Sequence, residues 1–439
     1  MGAIDRIEFS DEKVTAWGGM QLMKQLLDKS GVREKLNDLA LPERVSNRSY
    51  ASSQIVECFW TSIWIGAGRF SHSSYLRYDD VLKKIFGWSE APSQSTYSRF
   101  FNKFDWKRNE AIFAPLQEWF FNQIQFDNLT LDLDSSVITR YGEQQEGAKK
   151  GYNTKKPGRL SHHPLMAFIP ELRMVANAWL RPGNTGALSN AENFLDETLH
   201  VLGNKKVGLV RCDSGFYGEK FIQKLEGRGL NYVIAVKFYP TIKEAIRNQK
   251  KWVQTKDGVE VCEFEYQATA AIKPRKYIAV RKNIRILTKA TGKLLLFEEE
   301  QIQTFRYSVY VSNVDLPAEH IWNIYKHRAD AENKIKELKY DFALDSFCVK
   351  NFWGTEAAFR MIMMAYNLMA LFRQICLQSK KQNTLNTLRF KCFALGAWIA
   401  QHSRITTLKI SAIGEKRRWL DALFDIIPQK SPPFHFPNA

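Results

Sequence analysis

Cysteine is scarce in this sequence and occurs in no closely spaced pair. Its 439 residues include six cysteines, none of them in a Cys-x-x-Cys arrangement. This excludes a zinc ribbon and a disulfide framework, and it is typical of proteins in a reducing compartment. The opening residues, MGAIDRIEFSDEK, are polar and soon acidic, so we expect no signal peptide and a cytoplasmic location.

A long uncharged hydrophobic run is also missing. The most apolar long stretch, Phe359–Leu377, contains Arg360 and Arg373. Both arginines would be costly in a lipid bilayer, so we interpret this stretch as a buried core helix and not as a membrane span. Internal repeats and low-complexity tracts are absent as well. The length suggests about three domains as a starting expectation.

Acidic residues are outnumbered by basic ones. The chain has 63 Lys and Arg against 46 Asp and Glu, which gives a net charge of +17. A basic excess of this size is typical of proteins that bind a polyanion, most often nucleic acid. The alternative at this point is a basic protein with no nucleic-acid role. Hydrophobic residues make up 45% of the chain, which indicates a folded globular protein.

Residues 18–126 show apolar positions at helical spacing, which predicts an all-α region. Within it, Ala91–Phe104 has a Pro-Ser start, and Ser93 is a plausible helix N-cap. Together with the helix before it, this segment resembles a helix-turn-helix whose second helix would present Arg99 to a DNA groove. An ordinary helical hairpin fits the same pattern.

The pattern changes at residue 128, where LTLDLDSSVITRY alternates between leucines and polar residues. This predicts a strand with one buried face and with Asp132 and Asp134 on the other. Further along, KVGLVRCDSGFYG reads as a buried strand that ends at Asp213. The order of strands and helices predicts an α/β sheet, and such sheets place ligands at the carboxyl ends of their strands.

Residues 240–317 are rich in strand candidates, and we interpret them as a β-rich subdomain inserted into the α/β core. A helix with the segment YKHRADAENKIKELK follows. On one continuous helix, four of its residues would share a narrow stripe: Tyr325, Arg328, Glu332 and Lys339. Three other charges fit a solvated helix face: Asp330, Lys334 and Glu337. Taken alone, the whole segment could be such a solvated helix.

Three carboxylates from three elements could converge at one sheet edge: Asp134, Asp213 and Glu332. Close carboxylates repel one another, so they take up protons or bind cations. Oxygen ligands favour Mg²⁺ or Mn²⁺, and two such ions are the arrangement used for phosphodiester displacement. Arg328 and Lys339 could then hold phosphates beside the metals.

The segment from Tyr325 to Lys339 matches the signature Y-x-x-R-x-x-x-E-x-x-x-x-x-x-K of bacterial insertion-sequence transposases with a DDE triad. The segments LDLDSSVI and VRCDSGFYG resemble the two aspartate strands of that family. The resemblance implies a ribonuclease H-like core with a β-rich insertion, preceded by an all-α DNA-binding region and followed by C-terminal helices. It also implies that the metal ligands are Asp134, Asp213 and Glu332. Asp132, on the same strand face, is the alternative to Asp134.

The same resemblance implies a magnesium-dependent endonuclease that carries out DNA transposition and recombination in the bacterial nucleoid region. Its partners would be terminal inverted repeats and target DNA, bound by a homodimer. The signature residues Tyr325, Arg328 and Lys339 would contact DNA. In relatives an aromatic residue of the insertion stacks on a flipped base, and Tyr307 is the candidate here, with Trp252 as a second choice. Core packing is the alternative for Tyr307.

The loop after the first aspartate strand is basic. Its cationic residues are Lys149, Lys150, Lys155, Lys156 and Arg159. We interpret this loop as a DNA backbone contact, with an ordinary solvated loop as the alternative. The two alternatives to a cut-and-paste transposase are a metal-dependent nuclease or resolvase on the same core, and a transposase-derived DNA-binding protein that no longer catalyses.

Five segments are predicted in all. Residues 1–126 would form the helical DNA-end-binding region and residues 127–239 the first part of the core. The β-rich insertion would span residues 240–317, and the helical second part of the core residues 318–378. Residues 379–439 would form a C-terminal helical tail.

Overall fold

The computed structural model describes residues 6–44, 49–126, 128–255, 258–283, 300–302, 305–377 and 383–436, without the side chains of residues 300–302 and 330–332. The chain forms two compact units. The first contains the described residues within Met1–Ile112, Lys339–Val349 and Trp353–Phe434. The second contains those within Phe113–Leu338, Lys350–Phe352 and His435–Ala439. The division into five segments stays a prediction.

Helices dominate the first unit. Among the described residues its helices, two of which continue into the second unit, are Met20–Ser30, Val32–Asp38, Ser52–Trp64, Tyr75–Tyr78, Asp80–Phe86, Gln94–Phe101, Trp106–Asn122, Phe352–Phe372, Leu385–Leu388 and Gly414–Ile426. Helix Phe352–Phe372 is buried from Gly354 onward, as expected for a core helix. No helix in the described part of the chain is both long and apolar enough to cross a membrane.

Two tryptophans fix the central helix pair of the first unit. Trp60 Nε1 donates a 2.9 Å hydrogen bond to the carbonyl oxygen of Met361, and Trp64 Nε1 donates a 3.1 Å bond to that of Ala365. Trp60 and Trp64 are four residues apart, and so are Met361 and Ala365. One face of the first helix therefore packs along one face of the second with the same spacing. Each hydrogen bond satisfies the only polar hydrogen of a buried indole ring, so burying the ring leaves no unpaired N–H group.

The predicted helix-turn-helix corresponds to helices Asp80–Phe86 and Gln94–Phe101. Ser93 is the N-cap of the second helix, and its hydroxyl oxygen accepts a 3.4 Å hydrogen bond from the Thr96 amide. The two helices are separated by residues 87–93. That connection is longer than the turn of about three or four residues in a helix-turn-helix, which favours the helical-hairpin interpretation.

A β-hairpin interrupts the C-terminal segment that the sequence predicted to be helical. Strands Ala397–His402 and Ile405–Ile410 pair antiparallel, and Val14–Thr15 adds a third strand. Ser403 turns the hairpin with a φ of 54°. The helical expectation is therefore wrong for residues 397–410. The strands contain β-branched isoleucines and threonines, which fit a pleated surface better than a helix.

The second unit is built on one mixed sheet. From one edge to the other, its path of strands is Val253–Gln254, Glu260–Tyr266, Arg275–Asn283, Phe305–Ser312, Tyr232–Ala235, Val207–Cys212, Leu129–Ser135, Leu165–Ile169 and Met174–Trp179, with Glu300–Ile302 paired to Phe305–Ser312. We call Leu129–Ser135 the Asp134 strand and Val207–Cys212 the Asp213 strand. These two strands are parallel neighbours in the middle of the sheet.

The strands predicted as an inserted subdomain continue this same sheet. Phe305–Ser312 pairs antiparallel with Tyr232–Ala235 and with Arg275–Asn283. Within the predicted β-rich segment, residues 256–257, 284–299 and 303–304 lie outside the described residues. The mixed α/β class of the second unit is therefore as the sequence predicts, while the β-rich segment extends the central sheet.

The remaining elements of the second unit cover or flank this sheet. Its helices are Ala191–Leu202, Glu219–Gly227, Pro240–Arg247, Ala318–Lys326 and Ala329–Tyr340, the last of which continues into the first unit. A small antiparallel sheet consists of Ile138–Thr139, Leu160–His162 and Lys149–Lys150. We call Ala318–Lys326 the Tyr325 helix and Ala329–Tyr340 the Glu332 helix.

The Asp134 strand is covered on both faces. Its leucines are buried as the alternation predicts, but Asp132 is also fully buried and Asp134 is 7% exposed. The prediction of only one buried face is therefore wrong. The polar face is covered because Arg211 pairs with Asp132 and Arg328 lies beside Asp134. The alternation of leucines and polar residues along one strand cannot reveal such contacts with other elements.

The helix predicted to span the Y-x-x-R-x-x-x-E segment is broken. The Tyr325 helix ends before His327, and the Glu332 helix begins at Ala329. The Arg328 amide donates to the Tyr325 carbonyl, a three-residue spacing that closes a turn in place of an α-helical bond. The single stripe assumed for this segment is therefore wrong, since the two helices are separate elements.

Candidate active site

Asp134 and Asp213 stand at the same edge of the sheet. In the parallel pair of strands that carries them, Leu133 is the register partner of Cys212. Asp134 follows Leu133 directly, and Asp213 follows Cys212. Because the two strands are parallel neighbours, both aspartates lie at the carboxyl ends of the strands. Ligand sites of α/β sheets form at this edge.

The chain's own amides orient both carboxylates. The Ser135 amide donates a 2.8 Å hydrogen bond to Asp134 Oδ1, and the Gly215 amide donates a 2.9 Å bond to Asp213 Oδ1. Gly215 is required by this turn, since a Cβ atom there would lie 2.9 Å from Asp213 Oδ1 and 3.1 Å from the Ala187 Cβ. The glycine thus lets the turn close beneath the Asp213 carboxylate.

Tyr325 holds the end of the Asp213 strand. Its ring is buried against Tyr310, with ring centroids 4.4 Å apart, and its hydroxyl donates a 3.2 Å hydrogen bond to the Cys212 carbonyl oxygen. Burial raises the pKa of Tyr325, and the charges of Asp213 and Asp134 raise it further, so the hydroxyl remains a donor. The tyrosine therefore fixes the backbone immediately before Asp213.

Arg328 does the same for the Asp134 strand. Its Nη2 donates a 3.1 Å hydrogen bond to the Leu133 carbonyl oxygen and lies 3.4 Å from Asp134 Oδ1. Burial alone lowers the pKa of Arg328, but the negative charges of Asp134, Asp213 and Asp132 raise it above its ordinary value. The guanidinium group thus stays charged and experiences a strongly negative potential at the strand ends.

Asp132 is committed to a different partner. Arg211 Nε lies 2.6 Å from its Oδ1 and Arg211 Nη2 lies 2.8 Å from its Oδ2, so both carboxylate oxygens are engaged in a buried two-pronged ion pair. Arg211 Nη1 also donates a 2.6 Å bond to the Ile324 carbonyl at the end of the Tyr325 helix. This pair locks that helix onto the sheet, and it favours Asp134 over Asp132 as the carboxylate available to a ligand.

Sequence reasoning missed Arg211. The signal was present, because Arg211 is a charged residue inside an otherwise apolar strand, two positions before Asp213. A buried arginine requires a carboxylate partner, and Asp132 was the unexplained carboxylate on the neighbouring strand. The two residues are register partners across the parallel strands.

The Glu332 helix differs from the expected pattern in two ways. Lys334 is 3% exposed and Glu337 is 6% exposed, so the prediction that these charges form a solvated face is wrong. Both side chains have partners in the structure. The backbone of Glu332 is helical, but its side chain, like that of Asp330, lies outside the described residues. Lys339 is half-buried and belongs to the first unit.

A family comparison gives this geometry a context. The family described as "Transposase DDE domain group 1" matches residues 5–432, nearly the whole chain. This chain belongs to the DDE transposase family. The resemblance inferred from the aspartate strands and the Y-x-x-R-x-x-x-E segment is confirmed. No curated protein matches the transposase.

Several solved chains are similar to this transposase. One of them belongs to a cryo-EM structure of the piggyBac transposase synaptic complex with hairpin DNA. The two chains are 13% identical, the match covers 85% of this chain and 78% of the other, and the TM-score is 0.45.

The remaining residues predicted to contact DNA lie at different places in this transposase. Arg99 is exposed on helix Gln94–Phe101 in the first unit. In the second unit the loop residues Lys155, Lys156 and Arg159 are exposed, and Lys156 lies 4.8 Å from the centre of the Tyr141 ring. By contrast, Tyr325 is 1% exposed and Arg328 5% exposed, and their polar atoms face strand ends. Their observed hydrogen bonds go to the carbonyl oxygens of Cys212 and Leu133, and their contact with DNA stays a prediction.

Tyr307 lies in an aromatic cluster on the extended sheet. Its ring is 6.0 Å from that of Trp252 and 6.3 Å from that of Phe305. The Arg281 guanidinium lies over both neighbouring rings, 4.1 Å from the Trp252 centre and 4.6 Å from the Phe305 centre. Tyr307 and Trp252 are half-buried, so the two stacking candidates predicted from the sequence belong to one cluster.

The donor chemistry at the strand ends fits a hard divalent cation. Asp134 and Asp213 supply carboxylate oxygens, which Mg²⁺ and Mn²⁺ prefer, and the potential that these carboxylates and Asp132 impose on Arg328 is negative. Among the described side chains, which exclude that of Glu332, no three His, Cys, Asp or Glu residues form a group that could hold a metal.

Proposed function

We propose that this DDE transposase cuts DNA at the ends of an insertion sequence and joins the freed 3′-hydroxyl to target DNA by a cut-and-paste route. The observation that carries the proposal is the placement of Asp134 and Asp213 at the ends of adjacent parallel strands. Arg328 donates a hydrogen bond to the residue before Asp134, and Tyr325 donates one to the residue before Asp213. Membership of the DDE family supports the reaction class. The central strand order, with three antiparallel strands followed by two parallel ones, supports a ribonuclease H-like core.

In this proposal Asp134, Asp213 and Glu332 hold two Mg²⁺ ions, for which Mn²⁺ substitutes. The ions supply Lewis acidity to the attacking hydroxyl or water and to the leaving oxygen. The protein's part is to keep the carboxylates fixed. Tyr325 and Arg328 anchor the two strand ends, and the Arg211–Asp132 pair holds the Tyr325 helix against the sheet. Fixed geometry of this kind removes reorganisation at the moment of reaction.

The DNA contacts are assigned to exposed cations. Lys155, Lys156 and Arg159, in the segment that follows the Asp134 strand, would contact the phosphate backbone, since all three are exposed. Arg99 would contact the terminal repeats from the helical region, and Lys339 would contact phosphate near the Glu332 helix. The cluster of Tyr307, Trp252, Phe305 and Arg281 would stack on an unpaired base. A homodimer on DNA would pair the two transposon ends.

The decisive experiment is Mg²⁺-dependent nicking of a duplex that carries the element's terminal repeats. Asp134→Asn, Asp213→Asn and Glu332→Gln should each abolish nicking while the protein stays folded. Asp315→Asn, an exposed carboxylate in the same unit, is the matched control and should nick normally. If the first three variants nick at the normal rate, the assigned site is wrong.

A second assay separates transposition from simple cleavage. A duplex with a pre-cut 3′-hydroxyl end is mixed with a target plasmid and Mg²⁺. We expect joined products that disappear in Asp213→Asn. Nicking without joined products would identify a nuclease or resolvase, and specific DNA binding with neither product would identify a DNA-binding protein that has lost catalysis.

A further inference from the structure

A groove on the C-terminal part of the first unit lies outside every role assigned above. Phe390, Lys391, Lys416 and Trp419 line it, and its volume is about 490 Å³. We call it the Phe390–Trp419 groove. Phe390 and Lys391 come from the short helical segment Arg389–Phe393, whereas Lys416 and Trp419 lie one turn apart on helix Gly414–Ile426. Two separate elements thus each contribute one aromatic ring and one ammonium group.

The aromatic rings are unusually open to solvent. Phe390 is 84% exposed and Trp419 is 38% exposed. Leaving a phenylalanine in water forgoes the roughly 1.5–3 kcal/mol that full burial of its side chain would contribute. An apolar ring left in water beside cations is typical of a binding surface, because a ligand can recover that contribution.

The charge of the segment that contains the groove is mainly positive. Between residues 390 and 430 the chain has seven basic residues, all exposed, and three acidic ones, Glu415, Asp421 and Asp425. Among the described residues, neither Lys391 nor Lys416 has an ion-pair partner within 4 Å, and the Lys391 ammonium donates only to Asn383 Oδ1, at 3.1 Å. Both ammonium charges are therefore available to an anionic ligand.

Lys391 and Lys416 line the same groove as the two aromatic rings. Ammonium groups beside aromatic rings match a phosphodiester with an attached base, in which the anion and the flat ring are one unit.

We propose that the Phe390–Trp419 groove binds an unpaired nucleotide of a DNA strand, with the base against the aromatic rings and the phosphates beside Lys391 and Lys416. The inference rests on the proposed function, which makes DNA the partner. It specifies an unpaired strand because a base inside a duplex offers no open face for stacking. The groove belongs to the first unit and is distinct from the strand ends that carry Asp134 and Asp213.

The test measures binding of the full chain, in EDTA, to a fluorescently labelled single-stranded oligonucleotide and to the matching duplex. Phe390→Ala and Trp419→Ala should each weaken single-strand binding about tenfold and change duplex binding less than twofold. Lys391→Gln combined with Lys416→Gln should reduce the slope of log affinity against log salt by about 1.4 for the single strand.

Matched controls come from the same unit. Arg404→Gln combined with Lys430→Gln removes two exposed charges of the same segment, and Tyr75→Ala removes a 71% exposed aromatic ring. Both should bind the single strand within twofold of the unaltered protein. Phe390 is so exposed that its alanine variant should fold normally, so the proposal stays testable even if Trp419→Ala is unstable.

Two results would overturn the proposal. One is single-strand binding that is unchanged in both Phe390→Ala and the double lysine variant. The other is a shift of Phe390→Ala from dimer to monomer in sedimentation with unchanged oligonucleotide affinity, which would make the groove a contact between copies. Neither result bears on nicking by the Asp134 and Asp213 site, because binding is measured in EDTA, where no nicking occurs. Asp213→Asn should therefore bind the single strand normally even though it does not nick.

Discussion

The Tyr325 hydroxyl donates a hydrogen bond to the carbonyl oxygen of Cys212, the residue immediately before Asp213. Arg328 makes the equivalent contact to the carbonyl oxygen of Leu133, immediately before Asp134. Two residues of one short segment thus hold the backbone beneath both aspartates. A positioning role of this kind should be separable from DNA binding.

Removing the Tyr325 hydroxyl should loosen Asp213 and leave the fold intact. Tyr325→Phe deletes one buried hydrogen bond, which should lower the free energy of unfolding by about 1 kcal/mol. We expect the nicking rate to fall at least tenfold while DNA affinity stays within twofold, because a misplaced ligand affects the reaction more than binding. Tyr340→Phe, at a 78% exposed tyrosine, is the control. A weakened DNA affinity at an unchanged nicking rate would restore a DNA contact to Tyr325.

Replacing Arg328 should affect both stability and the reaction. Arg328→Met leaves Asp134 without its buried cation, and losing one partner of a buried pair costs about 3–5 kcal/mol. Arg328→Lys keeps the charge but cannot present a planar fork to Leu133 and Asp134 together, so we expect intermediate stability and nicking reduced about a hundredfold. Urea unfolding and single-turnover nicking measure the two effects. Normal nicking by Arg328→Lys would contradict the positioning role.

Asp132 and Asp134 should behave differently when neutralised. Asp132→Asn breaks the buried pair with Arg211 and should lower the free energy of unfolding by about 3–5 kcal/mol. Asp134→Asn should abolish nicking with a smaller loss of stability. A double-mutant cycle of Asp132→Asn and Arg211→Gln should give a coupling energy of about 1–3 kcal/mol. Coupling near zero would show that the pair contributes nothing to folding.

Glycine at position 215 should be needed for the reaction. Gly215→Ala would place a Cβ atom 2.9 Å from Asp213 Oδ1 and displace that carboxylate, so we expect nicking to fall about a hundredfold. Gly227→Ala is the matched control, because a Cβ atom there meets nothing within 4 Å. In its helix that change should stabilise the protein by about 0.5–1 kcal/mol. Equal nicking by both variants would contradict the role of the turn.

Acid should destabilise the second unit through His162. Its Nδ1 accepts a 2.9 Å bond from Arg140 Nε, and burial, with the charge of Arg140, lowers the pKa of His162 to about 4. The folded pKa lies below the unfolded value of about 6.5, so the folded state resists protonation. The resulting stability is present above about pH 6.5 and is lost as the pH falls towards 4, by up to about 3 kcal/mol.

Urea unfolding from pH 7.5 to 4 measures this loss. His162→Gln keeps a polar side chain that does not titrate, so its stability should fall less over this range. An identical pH profile for the variant and the unaltered protein would show that His162 is not the group responsible.

The sequence pattern predicted correctly that Asp134 and Asp213 lie at the ends of strands. Alternation in LTLDLDSS and the apolar run before Asp213 each indicate a strand that ends at a carboxylate, and both strands are present. Alternation could not show that the polar face of the first strand is also covered, because that cover comes from Arg211 and Arg328, which lie 79 and 194 residues further along. The helical expectation for residues 397–410 is wrong because the β-branched isoleucines and threonines of this stretch fit paired strands better than a helix.

The sequence by itself determined the family, through the spacing of Tyr325, Arg328 and Glu332 and the two aspartate strands before them, because these motifs are local and read along the chain. Only the tertiary structure decided what those residues contact. There Asp132 pairs with Arg211, Tyr325 and Arg328 donate hydrogen bonds to the carbonyl oxygens at two strand ends, and Lys334 and Glu337 are buried. Spacing along a helix gives a direction around its axis, whereas burial and pairing depend on which distant element packs against that side.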